Sequence, residues 1–194
     1  MIKILITDTH YGIKQNSITW LNSQCDFIEK QLIPYIKNLR QEVQLIHLGD
    51  VFDSRSTIST LVASRIVKLF SLLRDVVSEF IIIDGNHDYY SPNSDEVDTL
   101  SLLLKNMDIH IINRNILIKG PDMFVPWYQW DPIKIQERIN KGNIKNVFTH
   151  ADIVTEGCPI TGCNIYSGHI HIPYINGPIR NLGSCYALNF GDSN

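Results

Sequence analysis

Nowhere does this 194-residue chain carry the roughly 18 unbroken apolar residues that a membrane-spanning helix requires. The opening MIKILIT meets Asp8 too soon to act as a secretory leader, so a cytoplasmic protein without membrane partners is expected. Positive charge is also short: 17 Lys and Arg against 20 Asp and Glu leave a net charge of −3. That balance argues against nucleic-acid binding through overall basicity, which works by Lys and Arg displacing counterions, and leaves room only for a local basic patch. Cys25, Cys158, Cys163 and Cys185 form no CxxC pair. In a chain able to build its own core, reduced thiols are expected. No repeat, Pro/Ser-rich linker or low-complexity tract divides the chain, so residues 1–194 are expected to form a single domain.

What is present is an alternation of short apolar runs and helical patterns. Ile2 to Ile6, Val43 to Leu48 and Phe80 to Ile83 read as strands. Between the first two, Ile18, Leu21, Cys25, Ile28, Leu32, Tyr35, Ile36 and Leu39 recur at helical spacing, with Pro34 expected to kink the helix. Val62, Ile66, Leu69 and Leu73 mark the buried face of a second helix. The resulting βαβαβ order implies a parallel sheet covered on both faces. A third helix is expected near Asp95 to Leu104, followed by short strands at Ile109 to Ile112, Ile116 to Ile118 and Met123 to Val125. A further helix has Asp131 as N-cap, Pro132 at its first position and Gly142 past its end. Strands at Val147 to Phe148, Asn164 to Tyr166 and Tyr174 to Ile179 complete an α/β class, with two sheets packed face to face and helices outside. His47 and His110, set in apolar strands, read as satisfied core residues.

The polar residues collect just beyond strand ends. Asp8 and His10 follow the first strand, Asp50 and Asp53 of GDVFD the second, and Asn86, His87 and Asp88 of GNHD the third. His150 follows the strand ending at Phe148, and His169 and His171 the one ending at Tyr166. In open parallel sheets, ligands bind at the carboxyl ends of strands, so five loops are expected to meet on one rim. Asp, His and Asn offer oxygen and imidazole donors suited to manganese, iron or zinc. If the backbone stays extended, the pairs Asp8/His10 and His169/His171 each point two side chains to the same side. Glycines at 49, 85 and 168 precede the ligands and let the chain turn sharply.

Taken in order, DTH, GDVFD, GNHD, the lone His150 and SGHIH resemble the five motifs of the calcineurin-like metallophosphoesterases. Within that superfamily DTHYG, HLGDVFDSRS, VPW and the NLGS stretch look most similar to the SbcD-type and T-even phage nuclease subunits of double-strand-break repair. The resemblance implies a four-layer α/β/β/α fold and two divalent ions, manganese foremost, with magnesium, iron or zinc as alternatives. It places Asp8, His10 and His171 on one ion, Asn86, His150 and His169 on the other, and Asp50 between them. It makes His87 the proton donor to the leaving oxygen and Asp88 a support for its loop.

Asp53 is expected to orient a ligand from behind, at a position where some repair nucleases carry His. Arg55 is expected to contact a phosphodiester. Tyr89, Tyr90, Trp127, Tyr128 and Trp130 are read first as packing residues and second as base-stacking ones. GNHD is followed by Tyr-Tyr-Ser and not by the phosphate-gripping Arg of protein phosphatases. The favoured function is therefore a DNA exo- or endonuclease of recombination or repair, the alternatives being a small-substrate phosphodiesterase or phosphatase and a metal-stabilised scaffold. DNA is the expected partner. The repair nucleases continue into a capping domain and an ATPase-docking segment that this chain is expected to lack; an SMC-like ATPase becomes a partner if the sequence is part of a longer protein. The resemblance implies a homodimer as an alternative to a monomer, since relatives dimerise through helices that map near Ser59 to Arg74 and Asp95 to Lys105.

Overall fold

The computed structural model describes residues 1–188. Strand β1 (Ile2–Ile6) leads through a single turn, α1 (Ile13–Asn16), into a long helix made of α2 (Ile18–Phe27), a π-helical turn at Ile28–Leu32, and α3 (Ile33–Leu39). Strand β2 (Val43–His47), helix α4 (Thr60–Arg74) and strand β3 (Glu79–Ile83) complete the βαβαβ run. A hairpin of β4 (Tyr89–Ser91) and β5 (Ser94–Asp98), then α5 (Thr99–Leu104), precede β6 (His110–Ile112). The second half holds β7 (Leu117–Lys119), β8 (Asp122–Val125), α6 (Pro132–Lys141), β9 (Asn146–Thr149), β10 (Asn164–Ser167), β11 (Tyr174–Asn176) and β12 (Ile179–Asn181).

The first sheet runs β1-β2-β3-β6 and is parallel throughout. The second runs β11-β12-β10-β9-β8-β7, parallel in its centre and antiparallel at both edges. Side-chain alternation explains the layering, because successive residues of a strand face opposite sides. Leu45, Phe80 and Ile82 pack under the helices with Leu21, Val62, Ile66 and Leu69. Their neighbours Ile46, Ile81 and Ile83 face the other way, onto Phe124 and Phe148 of the second sheet. On the far side of that sheet Met123, Val125, Val147 and Ile165 meet Ile135 and Ile139 of α6. The order of layers is helix, sheet, sheet, helix, as expected.

Helix α6 has the predicted ends: the Asp131 side chain accepts from the Lys134 N–H, Pro132 opens the helix and Gly142 follows it. Three expectations are corrected. Asp95 to Asp98 is strand, not helix: Asp98 pairs with Tyr89 and caps α5 by accepting from Ser101 N–H, so the helix begins only at Thr99. His110 is not a core residue. It begins the edge strand β6 with its side chain 58% exposed, 3.7 Å from Glu79. On the long helix Ile18, at its first position, and Tyr35 are exposed; beyond the π turn Ile33 and Ile36 carry the buried stripe. His47, by contrast, is buried and satisfied, its Nε2 3.0 Å from Thr9 Oγ1 and its Nδ1 accepting from Gly49 N–H. The four cysteines are free.

Candidate active site

The loops after β1, β2, β3, β9 and β10 bring the strand-end residues together. Asp8 Oδ1 lies 3.7 Å from Nε2 of both His10 and His171. Asp50 Oδ2 lies 3.2 Å from His150 Nε2 and 3.7 Å from His10 Nε2. One donor atom each from Asp8, His10 and His171 falls within a 4.8 Å cluster, and one each from Asp50, His150 and His169 forms another. A third cluster joins His10, Asp50 and His87. Asn86 Oδ1 sits 3.0 Å from His169 Nδ1, which brings the amide to the second cluster.

The route to this geometry differs from the extended pincers expected. Asp8, His10, Asp50 and His169 all have positive φ, at 51°, 42°, 52° and 76°. Such conformations cost non-glycine residues about 1–3 kcal/mol each and persist only where the surroundings fix them. Here the first two loops continue their strands' pairing beyond the sheet, with Asp8 N–H to Gly49 O and His10 N–H to Asp50 O, both at 3.1 Å. Asp88 fastens the next pair of loops: its carboxylate accepts from Val51, Phe52 and Gly85 N–H at 3.0, 3.3 and 2.9 Å. A Cβ at Gly85 would strike the backbone nitrogen and carboxylate of Asp50, and one at Gly168 would strike Thr7 Oγ1, so only glycine permits these approaches.

Backbone carbonyls set the imidazoles. Leu48 O accepts from His150 Nδ1 at 2.6 Å, which turns Nε2 toward Asp50. Asp53 O accepts from His87 Nδ1 at 2.6 Å, and the Asp53 carboxylate lies 3.5 Å from His10 Nδ1. Asp53 thus orients two imidazoles at once. Asp8 Oδ2 accepts from Thr7 Oγ1 and from His169 N–H, at 2.7 and 3.1 Å.

Three inward-facing atoms, Asp8 Oδ1, His10 Nε2 and His150 Nε2, are buried without a hydrogen-bond partner. Unpaired buried polar atoms cost about 1–3 kcal/mol each, a cost that bound cations would remove. Electrostatics agree. Burial alone would lower the pKa of His10, but the neighbouring carboxylates of Asp53, Asp8 and Asp50 raise it to about 10. Burial likewise opposes protonation of His150, yet Asp50 and then Asp8 hold its pKa at about 9. Asp50 is pushed below the usual carboxylate range, its burial outweighed by His150, His10 and His87. Without metal the two carboxylates recruit positive charge from protons; the donor set fits divalent cations in their place.

Residues 3–173 match the calcineurin-like phosphoesterase family. The chain belongs to that family. Metal-dependent phosphoester hydrolysis is the chemistry of that family, and the Asp and His clusters are the candidate metal positions of this rim. The fold is similar to that of the Pseudomonas putida nuclease MPE, with 16% identity and a TM-score of 0.50 over 92% of this chain and 66% of that one. The chain therefore spans just under two thirds of that nuclease's length. A phosphopantetheinyl hydrolase from Mycobacterium tuberculosis matches at 14% identity and a TM-score of 0.46, over 94% of this chain and 89% of that one. No curated protein sequence matches.

Arg55 is not brought to the clusters; it lines a cavity of about 300 Å³ with Ile58, Thr60, Tyr90 and Leu102. Tyr89 and Tyr128 pack edge to face at 4.7 Å, and their hydroxyls donate to Asn113 O and Ser91 O. Trp127 stands apart, its ring 5.0 Å from His169 and 6.0 Å from His150. Sequence reasoning missed Thr7, Gln24, His47 and Tyr186 as supports of the metal loops. A buried-face Gln at position 24 of an otherwise apolar helical stripe was the one visible signal.

Proposed function

We propose that this phosphoesterase cuts phosphodiester bonds of DNA with two divalent ions, manganese foremost, as a single nuclease-core domain akin to the SbcD-type repair subunits. Asp8, His10 and His171 hold one ion, Asn86, His150 and His169 the other, and Asp50 lies between them. The bound ions supply an activated water and charge stabilisation at the phosphoryl oxygens. His87 does its work off the metals. Its Nδ1–H is committed to Asp53 O, so Nε2 is the atom from which a proton passes to the departing oxygen. Its backbone N–H donates to Asp50 Oδ1 at 2.8 Å, which ties its position to the shared carboxylate. Asp53 and Asp88 hold the loops, and Arg55 contacts the DNA backbone at a distance from the reacting bond. A second copy docked through α4 and α5 and, if the sequence is part of a longer protein, an SMC-like ATPase are the partners this reading adds.

The observation that carries the reading is the set of buried, unpartnered donor atoms delivered by loops of two different sheets to one place. DNA as substrate is supported by the ordered motifs and by Tyr89, Tyr90 and Ser91 standing where a phosphate-gripping Arg would follow GNHD. The test uses labelled DNA and bis-p-nitrophenyl phosphate side by side. Cleavage of both should vanish in chelator and return more fully with manganese than with magnesium, because imidazole donors favour the later ion. Activity that survives chelation contradicts the metal reading. Hydrolysis of the small diester with no DNA cleavage contradicts the nuclease reading and moves the protein to small substrates.

A further inference from the structure

The turn that presents Asp8 and His10 is strained at both residues, with φ of 51° and 42°, and something must hold it. Much of the holding falls on its carbonyls. Thr9 O, between the two ligands, accepts from Tyr186 Oη at 2.5 Å and from Gln24 Nε2 at 2.8 Å. Gln24 also reaches His10 O at 3.4 Å. One residue before Tyr186, Cys185 Sγ donates to Thr7 O at 3.3 Å. The same short segment braces the other arm of the cluster, since Ser184 N–H donates to His171 O at 3.0 Å. Gly183, at φ 72°, permits this approach; a Cβ there would lie 2.8 Å from His171 O. The strap 183–186 therefore touches the backbone on both sides of the Asp8, His10 and His171 group from behind. Tyr186 is set by its own packing, its ring 6.0 Å from Phe27. Gln24 is buried on the helix beneath.

We propose that Tyr186 and Gln24 are positioning residues that hold the Asp8–His10 turn ready to receive a metal ion, through their shared hydrogen bonds to the carbonyl of Thr9. What the turn is held ready for rests on the two-metal reading; that the strap holds it does not. Neither side chain reaches the reacting atoms. Their effect passes through the backbone to Asp8 Oδ1 and His10 Nε2, and a weaker hold lets the turn relax toward ordinary φ values with the donor atoms out of register.

Tyr186→Phe removes the hydroxyl and keeps the ring. In metal-free protein, amide hydrogen exchange at Asp8 and His10 should rise about five-fold, the worth of one hydrogen bond. Manganese titration should show one of two ions bound more weakly by a similar factor, with the thermal midpoint nearly unchanged. Hydrolysis of bis-p-nitrophenyl phosphate should fall at limiting manganese and recover at excess, a rescue that general structural damage would not show. Gln24→Leu, judged on the same readouts, guards against a folding defect peculiar to one variant. Exchange rates and manganese affinity equal to wild type in both variants would overturn the proposal. A wild-type protein that binds no manganese would sink the two-metal reading instead, and the exchange rates alone would then judge the strap.

Discussion

His87 and His150 share a residue type, a rim and a neighbour in Asp50, yet their surroundings differ. His150 is fully buried, its Nδ1–H is held by Leu48 O, and its Nε2 faces two carboxylates with no hydrogen bond made. His87 is only partly buried and is tied to Asp50 through its backbone. Replacing each by alanine should separate the roles. His87→Ala should keep two manganese ions while turnover drops by about two to four orders of magnitude, the usual worth of a positioned acid. His150→Ala should lose an ion together with the activity. Metal counting by mass spectrometry on both variants decides the matter, and an empty site in His87→Ala would show that His87 is a ligand. The residue types at strand ends made these histidines visible in the sequence. The carbonyls that aim them, Leu48 O and Asp53 O, were not visible, because any residue type can supply a backbone oxygen.

At the scale of elements, β2, β3, α4 and α6 could be read from periodicity because one face of each is uniformly apolar. The β4–β5 hairpin could not. Its residues are polar and it exists through pairing across a short turn, and Asp98 serves both as a strand partner and as the cap of α5. The π turn in the long helix was equally hidden, since an extra residue per turn leaves no compositional mark. The two sheets are joined by ion pairs, Lys3 of β1 to Asp122 of β8 at 2.7 Å and Lys119 of β7 to Glu79 of β3 at 2.5 Å. Burial would raise the pKa of Glu79, but hydrogen bonds from Lys119 and Gln44 lower it below its ordinary 4.5. A carboxylate with a lowered folded pKa stabilises the fold fully above its unfolded value and loses that contribution as the pH falls through the folded value. Glu79→Gln should therefore cost about 0.5–1 kcal/mol in urea unfolding at pH 7, in the range of a partly exposed pair. The gap between wild type and variant should close as the pH drops below 4.5, and a gap that persists or widens in acid would contradict this account of the pair.

For the molecule as a whole, the two-layer sandwich has one consequence that no single element shows. Parallel strands of the first sheet deliver Asp8, His10, Asp50, Asn86 and His87, and the second sheet delivers His150, His169 and His171 to the same rim. Convergence of five loops could be expected from the strand ends. Which donor faces which could not, because it depends on four positive-φ residues and on glycine contacts such as Gly168 against Thr7. With a net charge of −3, the chain has little general attraction for nucleic acid, so under the proposed nuclease reading bound ions would have to anchor the substrate phosphate. The proposed chemistry therefore stands on the metal centre, and the most direct measurement is anomalous diffraction at the manganese edge from crystals grown with manganese. Two peaks about 3.5–4 Å apart are predicted, one against Asp8, His10 and His171, the other against Asn86, His150 and His169, with Asp50 touching both and His87 touching neither. A single peak, or a peak bonded to His87, would contradict it.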